Sequence, residues 1–257
     1  MQLETADITS FIHAHAFIVY QMFELYDKIS DILADELSKT SYWGAIYSLI
    51  TGENRFIIPD SRTQYFGLPE FSINENEIIA DIGAYVGDTT EEYITRSSDN
   101  VKLYAFEPSQ EALDKLQKRV SRLEQEWLLR ENAIEIIPAG VGVETTTANF
   151  SNTNSIMLKI DKYGEIAISI YSLDDFFKDK SPFTLLKADI EGGEMDMLKG
   201  AKEIIKRYNP KMAVCIYHSP KDFIQIAEYI HTLVPMYRFY VRCYFDDYQQ
   251  TILYCVI

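Results

Sequence analysis

Ile78-Ile79-Ala80-Asp81-Ile82-Gly83-Ala84-Tyr85-Val86-Gly87-Asp88-Thr89 is the stretch that decides the fold. An apolar run of strand length ends in an aspartate and two glycines, and residues 88–96 continue with a helical pattern. Glycine lets the backbone turn tightly and come close to a ligand. The N–H groups of the helix's first turn have no partner within the helix. Strand, glycine loop and helix in that order open a doubly wound sheet, whose first loop is where nucleotides bind.

The alternation continues downstream. Leu103-Tyr104-Ala105-Phe106 is a second apolar run, closed by Glu107-Pro108. Ser109 is a good N-cap, and Ala112, Leu116, Val120, Leu123 and Trp127 follow at three- and four-residue spacing, which predicts an amphipathic helix. Residues 134–137 read as a third strand. Residues 143–171 hold two alternating segments around Asn-rich turns, the pattern of an inserted hairpin. A fourth strand at 183–187 ends in Asp189 and leads into a helix that stops at Asn209-Pro210. Residues 213–217 form the fifth strand, and Ser219-Pro220 predicts the next helix start, with Ser as N-cap and Pro at the first helical position. Residues 237–241 and 251–257 are strands separated by only a turn. Alternating strands and helices imply a parallel sheet covered on both faces, and the last two strands imply an antiparallel hairpin at its edge.

Upstream, residues 1–58 read as a helical extension, with Phe11, His15, Ile18, Met22, Leu25, Ile29, Leu33 and Leu37 on one stripe. Such a stripe is expected to bury itself over the cofactor cleft or on a second subunit, as in a homodimer formed through these helices. Pro59, Gly67, Pro69, Asn74 and Asn76 mark 59–76 as a connecting loop, which leaves 77–257 as the main domain. Tyr65-Phe66 in that loop suits either a pocket cover or core packing.

The 257 residues carry 39 acids against 24 bases, a formal net charge of -15. Such a chain repels phosphate backbones and anionic lipid, so neither nucleic acid nor membrane is expected as a partner. Three cysteines, Cys215, Cys243 and Cys255, lie in apolar strand-like runs, which suits free thiols in a reducing compartment. The acidic start lacks a basic n-region, and the early apolar stretch is broken by His13, His15 and Gln21, so a cytoplasmic location is expected.

The glycine loop departs from the dinucleotide fingerprint. G-x-G-x-x-G starting at Gly83 needs glycine at 85 and 88, where the chain has Tyr85 and Asp88. An anionic Asp88 at the helix start repels a pyrophosphate but tolerates an ammonium or hydroxyls. Glu107, at the end of the second strand, can accept both hydroxyls of a ribose. S-adenosylmethionine, an adenosine joined to a zwitterionic sulfonium amino acid, has this chemistry.

The run 79–90 resembles the cofactor loop of the FkbM family of S-adenosylmethionine-dependent methyltransferases, as does Ala105-Phe106-Glu107-Pro108-Ser109. Lys187-Ala188-Asp189-Ile190-Glu191-Gly192-Gly193-Glu194, leading to Leu198-Lys199-Gly200-Ala201, resembles the family's most specific motif. Ile216-Tyr217-His218-Ser219-Pro220-Lys221-Asp222 and the terminal strands also match, and Leu33-Ala34-Asp35-Glu36-Leu37-Ser38 resembles the leader found before this domain. The resemblance covers roughly residues 31–257. The chain departs from it at Gly193, where many relatives have Ala, and at Arg242-Cys243-Tyr244, where relatives often have His.

The resemblance implies a Rossmann-like class I methyltransferase sheet, mostly parallel with an antiparallel edge hairpin, and O-methylation of a sugar, glycan or natural-product hydroxyl. It places the methionine part on Asp81, Gly83, Gly87 and Asp88, with Ala84, Tyr85 and Thr89 in the same loop. It places the ribose on Glu107 beside Pro108, and the adenine beside Gly140-Val141-Gly142, with Asp189 also near the cofactor.

A hydroxyl acceptor must lose a proton, and a positioned base contributes roughly 10²- to 10⁴-fold. Candidates follow the fourth and fifth strands: Asp189, Glu191, Glu194 and His218. His218 is the expected base, with Asp189 and Glu191 as catalytic or acceptor-binding carboxylates. Asp189, Glu191 and Glu194 also form a set of oxygen ligands suited to a divalent cation. The alternatives are helix-end charges at 189 and 191, N-methylation of an amine or peptide, and a catalytically silent binding module.

Overall fold

The computed structural model describes residues 17, 20–97, 100–151, 159–160, 164 and 166–257. His13 and His15 therefore lie outside the described residues. The chain clusters into two compact units, Ser72–Lys211 and the pair of segments Met1–Phe71 with Met212–Ile257. The terminal strands thus belong with the helical extension and the 59–71 stretch, a grouping that cuts across the sequence boundary at 76.

In the Ser72–Lys211 unit, four strands pair in parallel. They are β1 (Ile78–Ile82), β2 (Lys102–Phe106), β3 (Ile134–Ile137) and, later in the chain, β8 (Leu185–Ala188). Their order is β8-β1-β2-β3, with Asp81 opposite Ala105 on one side and Lys187 on the other. Near-continuous burial along β1, β2 and β8 is what a sheet covered on both faces requires. Helix α3 (Asp88–Arg96) follows β1, and α4 (Gln110–Glu126) follows β2. The α4 stripe buries Ala112, Leu113, Leu116, Val120 and Leu123, the larger of which each contribute about 1.5–3 kcal/mol relative to exposure. Trp127, expected on that stripe, is instead the half-exposed C-cap, because the helix ends one residue earlier.

The inserted hairpin is present as a second, four-stranded sheet in the order β4-β7-β5-β6. Its strands are β4 (Gly140–Val141), β5 (Thr146–Ser151), β6 (Lys159–Ile160) and β7 (Ile166–Tyr171), with Phe150, Ile168 and Ile170 as its own small core. Helix α5 (Leu173–Phe176) follows, capped by the Ser172 hydroxyl. After β8 the expected single helix is broken at Ala201 into α6 (Glu194–Gly200) and α7 (Lys202–Tyr208). Asn209 ends α7 in the left-handed conformation, which asparagine tolerates.

In the other unit, α1 (Phe23–Asp31) and α2 (Glu36–Thr51) carry the helical extension. Asp35 caps α2 by accepting the Ser38 N–H at 2.6 Å. Strands β9 (Lys211–Cys215), β10 (Arg238–Cys243) and β11 (Thr251–Val256) pair antiparallel in the order β10-β11-β9. Helix α8 (Asp222–Leu233) starts later than expected. Ser219-Pro220 belongs instead to a preceding turn closed by Asp222 N–H to Ser219 C=O at 2.9 Å, since Lys221 is the N-cap.

The extension buries Tyr26 and Tyr42 within this unit and leaves Phe17, Tyr20, Phe23 and Phe56 exposed. Tyr42 donates to Phe223 C=O and packs on the Phe223 ring at 6.0 Å, while Tyr26 donates to Pro220 C=O at 2.6 Å. Arg242 is almost fully buried and bonds both carboxylate oxygens of Asp35 at 2.7 and 3.3 Å. Asp60 completes the charge set at 3.6 Å. Tyr65 is core, with its hydroxyl 3.6 Å from Cys215 Sγ. All three cysteines are buried and free, and burial pushes the Cys243 thiol up to about 11. Among the described residues no helix is long and apolar enough to cross a membrane.

Candidate functional site

The loop after β1 is anchored on the neighbouring strand. The N–H groups of Gly83 and Ala84 both donate to Phe106 C=O, at 3.0 and 2.9 Å. Gly87 N–H then donates to Ala84 C=O at 2.8 Å, which closes a tight turn before α3. Gly83 has φ 78° and Gly87 φ 83°, values that side chains strain against. A Cβ on Gly83 would lie 2.0 Å from the carbonyl oxygen of Asp189, so the loops after β1 and β8 touch backbone to backbone. Tyr85 is itself left-handed at φ 49° and exposed, and Asp88 is exposed at the first position of α3.

Glu107 ends β2 with its carboxylate buried. Oε2 accepts the Tyr85 N–H at 2.9 Å and Oε1 accepts the Ser109 N–H at 2.8 Å. Each oxygen keeps acceptor capacity after its backbone bond. Burial raises the carboxyl above the usual glutamate range, and the two backbone donors and the Lys187 charge hold it down against that rise. A carboxylate tethered to both flanking loops, with a lone pair left on each oxygen, suits two adjacent hydroxyls.

Asp81 is fully buried rather than open to a ligand. Its Oδ2 accepts the Thr90 hydroxyl at 2.9 Å, and its Oδ1 pairs with Lys187 Nζ at 3.2 Å. Lys187 in turn donates to Gly83 C=O at 2.6 Å. Lys187 and Thr90 lie within motifs legible in the sequence, but their roles are not. The available signal was a lysine inside Leu185-Leu186-Lys187-Ala188, since a cation in a buried strand must be paired.

Gly140 and Val141 form β4, paired with β7, and Gly142 N–H donates to Tyr171 C=O at 3.0 Å. Gly200 of α6 sits so close that a Cβ there would meet the Gly142 carbonyl oxygen at 2.0 Å. The third glycine segment is therefore fixed by the inserted sheet and by α6. Thr89 and Pro108 are partly buried next to Asp88 and Glu107.

After β8, Asp189 is half-buried and its N–H donates to Ile82 C=O at 3.1 Å. Glu194 is buried, and Oε1 accepts the Ile190 N–H at 2.9 Å. A carboxylate oxygen of Asp189 and one of Glu194 lie within 4.8 Å of each other. Glu191 is exposed at φ 58°, followed by Gly192 at φ 99°, a left-handed pair that turns the chain into α6. His218 lies in the other unit, three residues beyond β9, half-buried, with its ring 4.2 Å from that of Tyr217.

The Ser72–Lys211 unit thus brings together the loop 83–88, Glu107 and Asp189 at the C-terminal ends of parallel strands, where open α/β sheets bind ligands. The donor set fits an S-adenosylmethionine-like ligand: buried Glu107 for hydroxyls, exposed Asp88 for a cation, and glycine turns where the backbone can approach.

A family model for the methyltransferase FkbM domain matches residues 81–248. No curated protein matches the chain. Among solved structures, the chain is similar to a methyltransferase FkbM from Methylobacillus flagellatus KT, with TM-score 0.77 and 23% identity. That likeness covers 93% of this chain and 60% of the other, so the chain spans about three-fifths of that protein's length. A candidate rRNA methylase from Clostridium thermocellum matches at TM-score 0.50 and 10% identity, over 76% of this chain and 96% of that one. Aeropyrum pernix fibrillarin, solved with bound S-adenosyl-L-methionine, matches at TM-score 0.44 and 13% identity, over 74% of this chain and 69% of that one. The fold is the Rossmann-like one of class I methyltransferases.

Proposed function

Because the chain belongs to the FkbM methyltransferase family, we propose that it transfers a methyl group from S-adenosylmethionine to a hydroxyl of a sugar, glycan or natural-product acceptor. The observation that carries the cofactor part is Glu107, a buried carboxylate held by the Tyr85 and Ser109 amides with acceptor capacity to spare. The cofactor, when bound, supplies a methyl carbon already activated by its sulfonium.

This chain's residues then bind and orient. Glu107 accepts the ribose hydroxyls, the loop 83–87 lies along the methionine part, and Asp88 offers a carboxylate to its ammonium. Gly140-Val141-Gly142 borders the adenine. Asp81, with both oxygens engaged inside the protein, supports the loop rather than touching the ligand. Holding the acceptor in line supplies much of the rate, because the methyl group is already activated. His218 takes the acceptor's proton, and Asp189 and Glu191 orient the acceptor. Cytoplasmic location is part of this reading.

Calorimetry with S-adenosylmethionine, S-adenosylhomocysteine and NAD tests the cofactor; tight NAD binding without the other two sinks it. A screen of hydroxylated and amine acceptors with methyl-labelled cofactor tests the acceptor, and label on nitrogen alone would replace O-methylation by N-methylation. Activity abolished by a chelator and restored by magnesium would assign Asp189, Glu191 and Glu194 to a divalent cation.

A further inference from the structure

Resting on the cofactor reading above, we infer that Lys187 is a positioning residue: its ammonium, paired with Asp81, holds the Gly83 carbonyl and keeps the loop 83–87 in its ligand-ready shape. The ammonium lies 2.6 Å from Gly83 O, 3.5 Å from Ile82 O and 3.2 Å from Asp81 Oδ1. Asp81 passes the tie to α3 through the Thr90 hydroxyl at 2.9 Å. One cation thereby fixes the end of β1, the first loop residue and the helix that follows.

The chemistry argues that this pair serves position rather than stability. Lys187 is 3% exposed and Asp81 fully buried, and the other residues of β8 are apolar and fully buried. Taking two charges from water costs as much as their pairing returns, and a well-packed apolar residue does as well or better for stability. The return here is directional. Gly83 sits at φ 78°, a conformation open to rotation in glycine. Its N–H is held by Phe106 C=O and its carbonyl by Lys187. Fixing both ends of that residue fixes the peptide planes that lead to Ala84 and Tyr85, whose N–H groups reach Phe106 C=O and Glu107. The same residue abuts the Asp189 carbonyl, so the tie also sets the spacing between the cofactor loop and the loop that carries Asp189. Preorganisation of this kind raises affinity by removing an ordering cost from binding.

The test uses the full chain and S-adenosylhomocysteine as the probe. In wild-type protein without ligand, hydrogen exchange at the amides of Gly83, Ala84, Tyr85 and Gly87 is expected to be slow already. Lys187→Met is expected to weaken S-adenosylhomocysteine binding by roughly tenfold or more and to speed exchange at those amides. Because Lys187→Met alone strands the buried Asp81 charge and can unfold the chain, the double variant Asp81→Asn/Lys187→Met, which removes both charges of the pair, is measured beside it. It is expected to keep a melting temperature near wild type while binding as weakly as the single variant. A folded double variant that binds within twofold of wild type overturns the inference, as do unprotected loop amides in the ligand-free wild type. Wild-type protein that fails to bind S-adenosylhomocysteine overturns the cofactor reading instead, and the ligand-free exchange result still decides this one.

Discussion

Glu107 Oε2 accepts the backbone N–H of Tyr85 at 2.9 Å, joining the end of β2 to the loop after β1 across 22 residues. The bond makes one carboxylate both a ligand group and part of the scaffold. Burial raises Glu107 above the usual glutamate range. The proposed ribose contact needs the ionised form, so S-adenosylhomocysteine affinity is expected to fall as pH drops through that raised value. The fall should begin at a higher pH than for an ordinary exposed glutamate. Glu107→Ala is expected to weaken binding by about 2 kcal/mol and to flatten the profile. Titration calorimetry across mildly acidic pH measures both, and an unchanged profile in the variant sinks the assignment.

Gly83→Ala should separate the loop's backbone from its side chains. The new Cβ meets the Asp189 carbonyl oxygen at 2.0 Å and carries a φ of 78°, so something must move. The cost is expected to be at least about 2 kcal/mol of stability, with cofactor binding lost in whatever protein remains folded. Gly193→Ala, by contrast, meets the flexible Ile190 side chain at 3.1 Å, with the Ile190 carbonyl oxygen at an ordinary 3.6 Å and φ at -89°. It is expected to melt within a few degrees of wild type. Thermal melts of the two variants decide the point.

The fold was legible because alternation, caps and glycine punctuation agree along the Ser72–Lys211 unit. The apolar runs 78–80 and 103–106 each stand as a strand within one or two residues, and the helix starts at Asp88 as expected. The misses have particular causes. Ser219-Pro220 looks like a helix start, but its residues spend their hydrogen bonds on a turn. Trp127 continues the spacing of α4 past the helix end. Asp81 looks like a ligand group because it ends a strand before glycines, yet its partners, Thr90 and Lys187, come from nine residues on and from another strand. Pairings across the sheet leave no local signal, and the register that brings Lys187 opposite Asp81 is set by tertiary structure. The same holds for Arg242, whose carboxylate partners Asp35 and Asp60 lie more than 180 residues upstream.

Arg242 and Asp35 are expected to show in acid stability. Burial pushes Asp35 up, but hydrogen bonds from Arg242 and Ser38 and the Arg242 charge more than offset it, leaving the carboxyl below the usual aspartate range. Asp60 is lowered in the same way, with Arg62 as the main donor against burial. A depressed carboxyl contributes stability above its unfolded value and loses it as pH falls through its folded one. Asp35→Ala removes the α2 cap and one partner of a buried guanidinium, for an expected loss of about 3 kcal/mol at neutral pH. The gap from wild type should close as pH falls below the ordinary aspartate range. Urea melts of both proteins across that range check the sign; a constant gap would show that the charge state of Asp35 is not the cause.

Removing the helical extension tests how the Met1–Phe71 and Met212–Ile257 segments depend on each other. The sequence predicts that residues 1–58 bury their stripe over the cofactor cleft or on a second subunit. In the structure, however, α2 supplies Tyr42, Ala45, Ile46 and Leu49 to the core of the unit that holds the terminal hairpin. Ser38 accepts the Val241 N–H at 3.0 Å and also bonds Arg242, and Ala34 N–H donates to Phe239 C=O at 2.8 Å. A chain starting at residue 59 therefore loses the Ala34 and Ser38 hydrogen bonds to β10, keeps the bond from Asp60 N–H to Cys243 C=O, and uncovers the buried apolar residues beneath α1 and α2. It also leaves Arg242 with Asp60 as its only charged partner among the described residues. A partly unpaired strand beside exposed apolar surface promotes aggregation. The truncated chain is expected to be insoluble, or to lose the cooperative melt of the full chain. Light scattering and a thermal melt on the two chains at equal concentration measure this. A soluble, cooperatively folded 59–257 chain would show that the hairpin holds its shape without the leader and that α2 is an accessory.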